Sequence, residues 1–395
     1  MQLKKFFSKM ILFFCVIFFT QNLFANQNIK IPENADFWSD YPHEELASFI
    51  VGNMTDEELL AQILMFGWAG SEPSELLLQW IKLRSLGSVK VYGWSTNNVK
   101  DVAKSVIKVQ EESLKGRFKI PLYVATDQEG GWIRHIKGRT SDTPGNLAIG
   151  ATGLASDAYY SGYYIAKELR AMGINMNFAP TVDIYTNLNS TVIGPRAFSS
   201  NALDTGILGA SYSQGVIDAG LIPTAKHFPG HGDTSDDSHG HLPEIQIDFN
   251  TLQNRELLPF KFLVDEKIPA IMSGHLSFPQ ITKNGEPATL SKYFLTKVLR
   301  QDMGYEGLII TDDMMMNGAT LYAGSLSKAV RMAIEAGNDI VISSTTANLY
   351  DSLWTNNLSL MSRSNEFKQT VKTAAKRVIL SKLKYFKGEN FVPIY

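Results

Sequence analysis

Residues 226–243 read KHFPGHGDTSDDSHGHLP and close an apolar run that begins at Ile222. They hold four of the chain's seven histidines (His227, His231, His239 and His241), together with Lys226, Asp233, Asp236 and Asp237. A surface loop of ordinary composition does not gather so many groups that titrate near neutral pH or bind protons and metals. A short buried strand therefore ends where reactive side chains begin, and the same transition recurs along the chain.

Apolar runs occur at 63–66, 88–92, 122–126, 174–179, 222–226, 270–273, 308–311 and 339–343. Amphipathic helical patterns fall between them at 102–114, 155–172, 202–219, 252–266, 292–303 and 327–336. Upstream, TDEELLAQ at 55–62 offers a threonine N-cap and an acidic first turn, so a helix starts there. Runs without strict alternation suit strands covered on both faces, as in a parallel sheet. Eight of them alternating with helices predict an α/β fold, a single-domain (β/α)8 TIM-type barrel closed by the C-terminal helix. An open doubly wound sheet is the competing architecture. No repeat, low-complexity tract or long linker interrupts the pattern, so residues 26–395 read as one catalytic domain.

The first 25 residues differ from the rest. Lys4, Lys5 and Lys9 precede the apolar run 10–19, and Ala25 ends the segment LFA, the layout of a secretory signal peptide. The expectation is export to the periplasm or beyond, with an uncleaved membrane anchor as the alternative, since the apolar run is short for a span. Removing the segment would move the formal net charge from −2 to about −5. Charges of both signs are interspersed, so there is no basic field for nucleic acid, and no obligatory protein partner is evident. The only cysteine, Cys15, lies in the leader. The remaining chain thus has no disulfide, thiol nucleophile or cysteine-bound metal. Its 44% apolar composition over 395 residues can supply a large core instead.

Barrel enzymes place their chemistry in the loops after the strands. Here these loops read TDQEGGWIRH, APTVDIYTN, KHFPGHGDTSDDSH, SGHLSFP and TDDMMM. Asp237 and His239 stand two apart, so in an extended loop both side chains point the same way and the carboxylate can orient the imidazole as a proton donor and acceptor. A pair that only staples the loop is the alternative. Asp312, after the run LII, suits a nucleophile or cation stabiliser held at a strand lip, while Asp313 is expected to be exposed. Asp127 and Arg196 read as groups that hold a polyol, or as an ion pair across the barrel mouth. Met314, Met315 and Met316 read as core filling; Trp68 and Trp132 as sugar-stacking or rim residues. The chain lacks GxSxG, GxxxxGK[ST], a helix-opening GxGxxG and HExxH. Two further readings stay open: a metal-dependent hydrolase with zinc on His227, His231 and His239, and a non-catalytic sugar-binding barrel.

The order DQEGG, VIGPRAF, KHFPGHGDTSDDSH and a strand ending in TDD resembles the bacterial β-N-acetylhexosaminidases of glycoside hydrolase family 3, in their single-domain form. The resemblance runs from QILMFGWAG to the last strand. It implies a (β/α)8 barrel without cofactor or metal that cleaves terminal β-linked N-acetylglucosamine from oligosaccharides in two retaining steps. It assigns Asp312 as nucleophile, His239 as acid/base and Asp237 as its orienting partner. Asp127, Lys226, His227, Arg196 and Arg134 are implied as sugar-holding groups. After DQEGG many members read RVxR, where this chain has Trp132 and His135, with Arg134 displaced by one position. Retaining glycosidases ordinarily pair two carboxylates. A histidine that has given up its proton is neutral and repels an incoming anion less than a carboxylate would, so phosphate is expected to compete with water in the second step.

Overall fold

The computed structural model describes residues 30–68, 70–93, 98–234 and 240–388. The leader with Cys15, and the pair Asp237 and His239, lie outside the described residues. Among the described residues no helix is long and apolar enough to cross a membrane.

Among the described residues ten strands are present: β1 Leu64–Trp68, β2 Ser88–Val91, β3 Tyr123–Thr126, β4 Gln128–Gly130, β5 Ile133–Arg134, β6 Met176–Asn177, β7 Ile222–Phe228, β8 Ala270–Ser273, β9 Leu308–Asp313 and β10 Ile340–Ser343. Eight form a closed parallel barrel in the order β1-β10-β9-β8-β7-β6-β3-β2, and β4 and β5 make a small antiparallel hairpin. All eight apolar runs became barrel strands, because only wholly apolar segments can be covered by helices outside and packed side chains within. The barrel residues of β1, β2 and β3 are buried throughout.

The flanking helices also follow the sequence pattern. Val99–Ser113, Ala155–Ala171, Ala202–Asp218 and Leu326–Ala336 lie within a few residues of the expected spans. The helices after β7 and β8 wind partly or wholly as wider π-helix, at Leu252–Glu256 and Tyr293–Asp302. Helix Asp56–Gln62 starts in a full capping box: the Glu58 N–H donates to Thr55 Oγ1 at 3.2 Å, and the Thr55 N–H donates to Glu58 Oε2 at 2.8 Å. The last helix, Asn365–Phe386, closes the barrel floor, where Lys382 donates to the Gly87 carbonyl at 2.8 Å and to Gln62 Oε1 at 3.1 Å.

β1, β7 and β9 run past their sequence-expected ends, and the last two gain one residue over a neighbour there. Along β7, Ala225 pairs with Ile271 but Phe228 with Ser273. Along β9, Ile310 pairs with Ile340 but Asp313 with Ile342. An extra residue of this kind bends a strand and re-aims its side chains. The two irregularities fall on Lys226–His227 and Thr311–Asp312, the points where the barrel carries its densest charge.

Candidate active site

Asp127, Lys226, His227 and Asp312 sit at the carboxyl ends of barrel strands, while Arg196 lies in the turn Gly194–Arg196 and Arg134 on hairpin strand β5. Asp127 follows β3 directly. It meets Lys226 of β7 at 2.6 Å through Oδ1 and Lys90 of β2 at 2.9 Å through Oδ2, and the His135 ring lies 3.8 Å from the same Oδ2. Lys226 continues to Glu129 at 2.8 Å. Glu129 holds Arg196 in a two-point contact at 2.7 and 3.0 Å, and Arg196 also donates to the Val192 carbonyl at 3.0 Å. Five side chains from four segments thus form one chain of alternating charge: Lys90, Asp127, Lys226, Glu129, Arg196.

Burial alone would push these carboxyl groups toward neutrality. The adjacent cations outweigh it. Asp127 is held well below the usual carboxylate range by Lys226 and Lys90, and Glu129 is lowered to about 2 by Arg196 and Lys226. Lys90 is buried under the rings of Tyr92 (4.5 Å) and Phe178 (5.3 Å), yet Asp127 and Asp313 raise its pKa above the ordinary lysine value.

Asp183, in the loop after β6, anchors the histidine stretch. One oxygen accepts the N–H groups of His227 at 3.1 Å and His231 at 2.7 Å; the other lies 2.7 Å from His227 Nδ1. Donation from Nδ1 leaves His227 Nε2 for a ligand. Burial would raise the Asp183 pKa, but His227 keeps it lowered. His231 turns its own Nδ1 to Thr234 Oγ1 at 2.7 Å, and burial drives it down to about 4, so it shapes the loop as a neutral ring. Gly232 lets this loop lie on the preceding one, since a Cβ there would stand 1.6 Å from the Ile184 carbonyl oxygen.

Asp312 is partly exposed on β9. Its Oδ1 accepts the Asp313 N–H at 2.7 Å. Burial would raise its pKa, but His227, His275 and Lys90 bring it down to about 2, so it is ionised at neutral pH. His275, beyond β8, is fixed between Thr289 Oγ1 and the Asp313 carbonyl, each at 3.0 Å.

Asp313 is buried, whereas the sequence reading expected it to be exposed. Its carboxylate takes the Tyr92 hydroxyl at 2.9 Å and the N–H groups of Met315 and Ser344, each at 3.0 Å. The physical reason is that β9 continues through both aspartates, so their side chains point to opposite sides, and among the described residues Asp312 has no side-chain hydrogen-bond partner.

Other candidates separate. Arg134 forms an ion pair with Asp142 at 2.6 Å, and His135, not Arg134, stands beside Asp127. Trp132 is 75% exposed, on the edge of a cavity of about 140 Å³ bordered by Glu129, Asn146 and Arg196. Trp68 and Met314 belong to the core, while Met315 is exposed. Lys90, Tyr92, Glu129, Asp183 and His275 were not singled out by sequence. Lys90 carries a visible signal, a lone lysine inside the run SVKVY.

Among the described residues no group of three His, Cys, Asp or Glu side chains is arranged to hold a metal ion. His227 and His231, two of the three expected zinc ligands, spend their Nδ1 atoms on Asp183 and Thr234. A groove of about 800 Å³ opens at the opposite, amino-terminal ends of β7 and β9, lined by Leu221, Ile268, Met303, Tyr305 and Leu380. It is remote from this charged cluster.

A closed parallel barrel with its ionisable groups gathered at the carboxyl ends of the strands is the architecture of a (β/α)8 enzyme. Residues 54–380 match the glycosyl hydrolase family 3 N terminal domain, and the chain belongs to that family. Beta-hexosaminidase A of Pseudoalteromonas piscicida is 32% identical over 286 residues, which cover 69% of this chain and 47% of that one. Beta-hexosaminidase of Neisseria meningitidis serogroup B is 33% identical over 298 residues, 72% of this chain and 81% of that one. The solved glycoside hydrolase family 3 beta-N-acetylglucosaminidase from Paenibacillus superposes with a TM-score of 0.80 at 31% identity, covering 87% of this chain and 65% of that structure. The chain spans about half the length of the first of these relatives.

Proposed function

We propose that the chain is an exported, exo-acting and retaining β-N-acetylhexosaminidase. It removes terminal non-reducing N-acetylglucosamine from peptidoglycan fragments or chitin-type oligosaccharides. The observation that carries this reading is Asp312: a carboxylate at a strand end, held ionised by His227, His275 and Lys90, with one oxygen pinned and, among the described residues, no side chain bonded to the other. The names of the hexosaminidase relatives support the sugar.

In the first step Asp312 attacks the anomeric carbon and forms a glycosyl-enzyme, while His239, oriented by Asp237, gives its proton to the departing oxygen. In the second step His239 takes a proton from water, the anomeric carbon–carboxylate bond breaks, and the sugar leaves with retained configuration. The chain of charges through Asp127, Lys226, Glu129 and Arg196 presents fixed donors and acceptors to sugar hydroxyls, and His227 Nε2 adds another. Arg134 stands at the margin of this set, through its pair with Asp142. With neutral His239 flanking the anomeric centre, phosphate competes with water in the second step and yields a sugar 1-phosphate.

The test is a product assay on chitobiose and defined muropeptides with the natural chain and His239→Ala. Release of N-acetylglucosamine with β configuration is expected. His239→Ala should lose natural sugars by about 10²-fold or more, while sparing aryl substrates whose leaving group needs little protonation. Equal loss on both substrates would overturn the acid/base assignment, and absence of the sugar product would overturn the activity.

A further inference from the structure

Lys90 is an ammonium buried inside a barrel strand between Val89 and Val91, and burying such a group is costly unless it is paired and bonded. Its pairing is specific. Nζ lies 2.9 Å from Asp127 Oδ2, the oxygen that Lys226 does not take, and two aromatic faces enclose it. His135 approaches that same oxygen at 3.8 Å, from the position where the RVxR pattern would end in arginine. Burial lowers the affinity of His135 for a proton, so no fixed cation stands at that position near neutral pH.

We propose that Lys90 is the positioning residue of the sugar site, a strand-borne cation that holds Asp127 in its sugar-accepting orientation. The inference rests on the reading of Asp312 as nucleophile. The charged groups around the two aspartates come from every side of the mouth. Lys90 and Tyr92 come from the β2 end, His135 from the β5 end, Lys226 and His227 from β7, His275 from beyond β8, and Asp313 from β9 itself. Of these, Lys90 is the cation coupled to both Asp127 and Asp312 that carries no other salt bridge among the described residues.

The experiment compares the natural chain with Lys90→Met, Lys90→Arg and the double variant Lys90→Met/His135→Arg. Steady-state kinetics on an aryl N-acetyl-β-glucosaminide would run from about pH 2 to about pH 9, a window that contains the limb set by Asp312. In Lys90→Met, KM should rise about 10-fold and the acid limb of kcat/KM should move to higher pH, because removing a positive charge makes Asp312 easier to protonate. Lys90→Arg should leave the acid limb in place, and adding His135→Arg to Lys90→Met should bring it back. Should Lys90→Met fail to fold, Lys90→Gln offers Asp127 a donor without the charge and must still show the displaced acid limb. An unmoved acid limb with unchanged KM overturns the inference, as does a double variant no better than the single one. Trapping the glycosyl-enzyme with a slow fluorinated substrate separates the two levels. A label on Asp312 with an unaltered Lys90→Met profile sinks this inference alone; a label on another residue sinks both it and the nucleophile assignment.

Discussion

Lys226 at the mouth of the barrel and Lys382 at its floor are buried in opposite ways. At the mouth, Asp127, Lys226, Glu129 and Arg196 neutralise one another in sequence, and each carboxylate stays ionised despite burial. At the floor, Lys382 is wholly buried and bonded to two neutral acceptors, the Gly87 carbonyl and Gln62 Oε1, with no ion pair among the described residues. Burial alone sets its pKa, which falls to about 7. The contrast separates two uses of a buried charge. Paired charges remain available to a polar ligand, whereas an unpaired ammonium that can shed its proton serves to tie a helix to the strand ends above it.

The largest effect that would sharpen this contrast is Asp312→Ala. Turnover of an aryl N-acetyl-β-glucosaminide should fall on the order of 10³-fold or more, since no other side chain stands in as nucleophile. Denaturant unfolding of the same variant should show little lost stability, because Asp312 is partly exposed and has no side-chain hydrogen-bond partner among the described residues. A variant that lost stability and retained turnover would reverse the assignment of roles.

Glu129→Gln should act differently, on the fold as well as on activity. It leaves Lys226 and Arg196 facing one fewer negative charge in a buried setting, where breaking a pair costs roughly 3–5 kcal/mol. Urea or guanidinium unfolding at neutral pH measures this directly. A change below about 1 kcal/mol would show that the mouth charges are solvated rather than mutually dependent.

At the floor, Lys382→Met tests the unpaired case through pH. The folded pKa lies near 7 and the unfolded one near the ordinary lysine value. Between them the unfolded chain binds the extra proton, so this group makes the natural protein gain stability as pH rises from about 7 toward about 10. Below that window the folded state carries the full burden of a buried ammonium. Lys382→Met should therefore be relatively more stable at pH 6 than at pH 9, by on the order of a few kcal/mol. A stability difference that does not vary with pH would show that Lys382 keeps its charge throughout.

Much of the architecture was legible because its physics is local. A strand covered on both faces must be apolar along its whole length, and each of the eight such runs carries that mark. Asp127, Lys226, His227 and Asp312 could be picked out as polar residues at the ends of those runs, whereas Arg196 lies in a turn well beyond one. Asp313 was misjudged because adjacent aspartates look alike in sequence, whereas the strand's alternation turns one toward Tyr92 and the other toward the mouth. Glu129 and Asp183 escaped notice because their roles exist only through distant partners. Glu129 meets Arg196 across 67 positions, and Asp183 meets His227 across 44. Lys90 could have been found from its incongruity, a charge inside a run otherwise fit for burial.

By itself the sequence determined the alternation of strands and helices, the placement of polar loops at strand ends, and the supply of acids, bases and histidines. Those properties follow from side-chain polarity and backbone preference over short windows. Only the tertiary structure decided which of these groups work together. Closing the barrel brings Asp127 to Lys226 across 99 positions and Tyr92 to Asp313 across 221. One extra residue in β7 and another in β9 then set the aim of His227 and Asp312. Register of that kind depends on how each strand pairs with its neighbour, and no local window of sequence contains the neighbour.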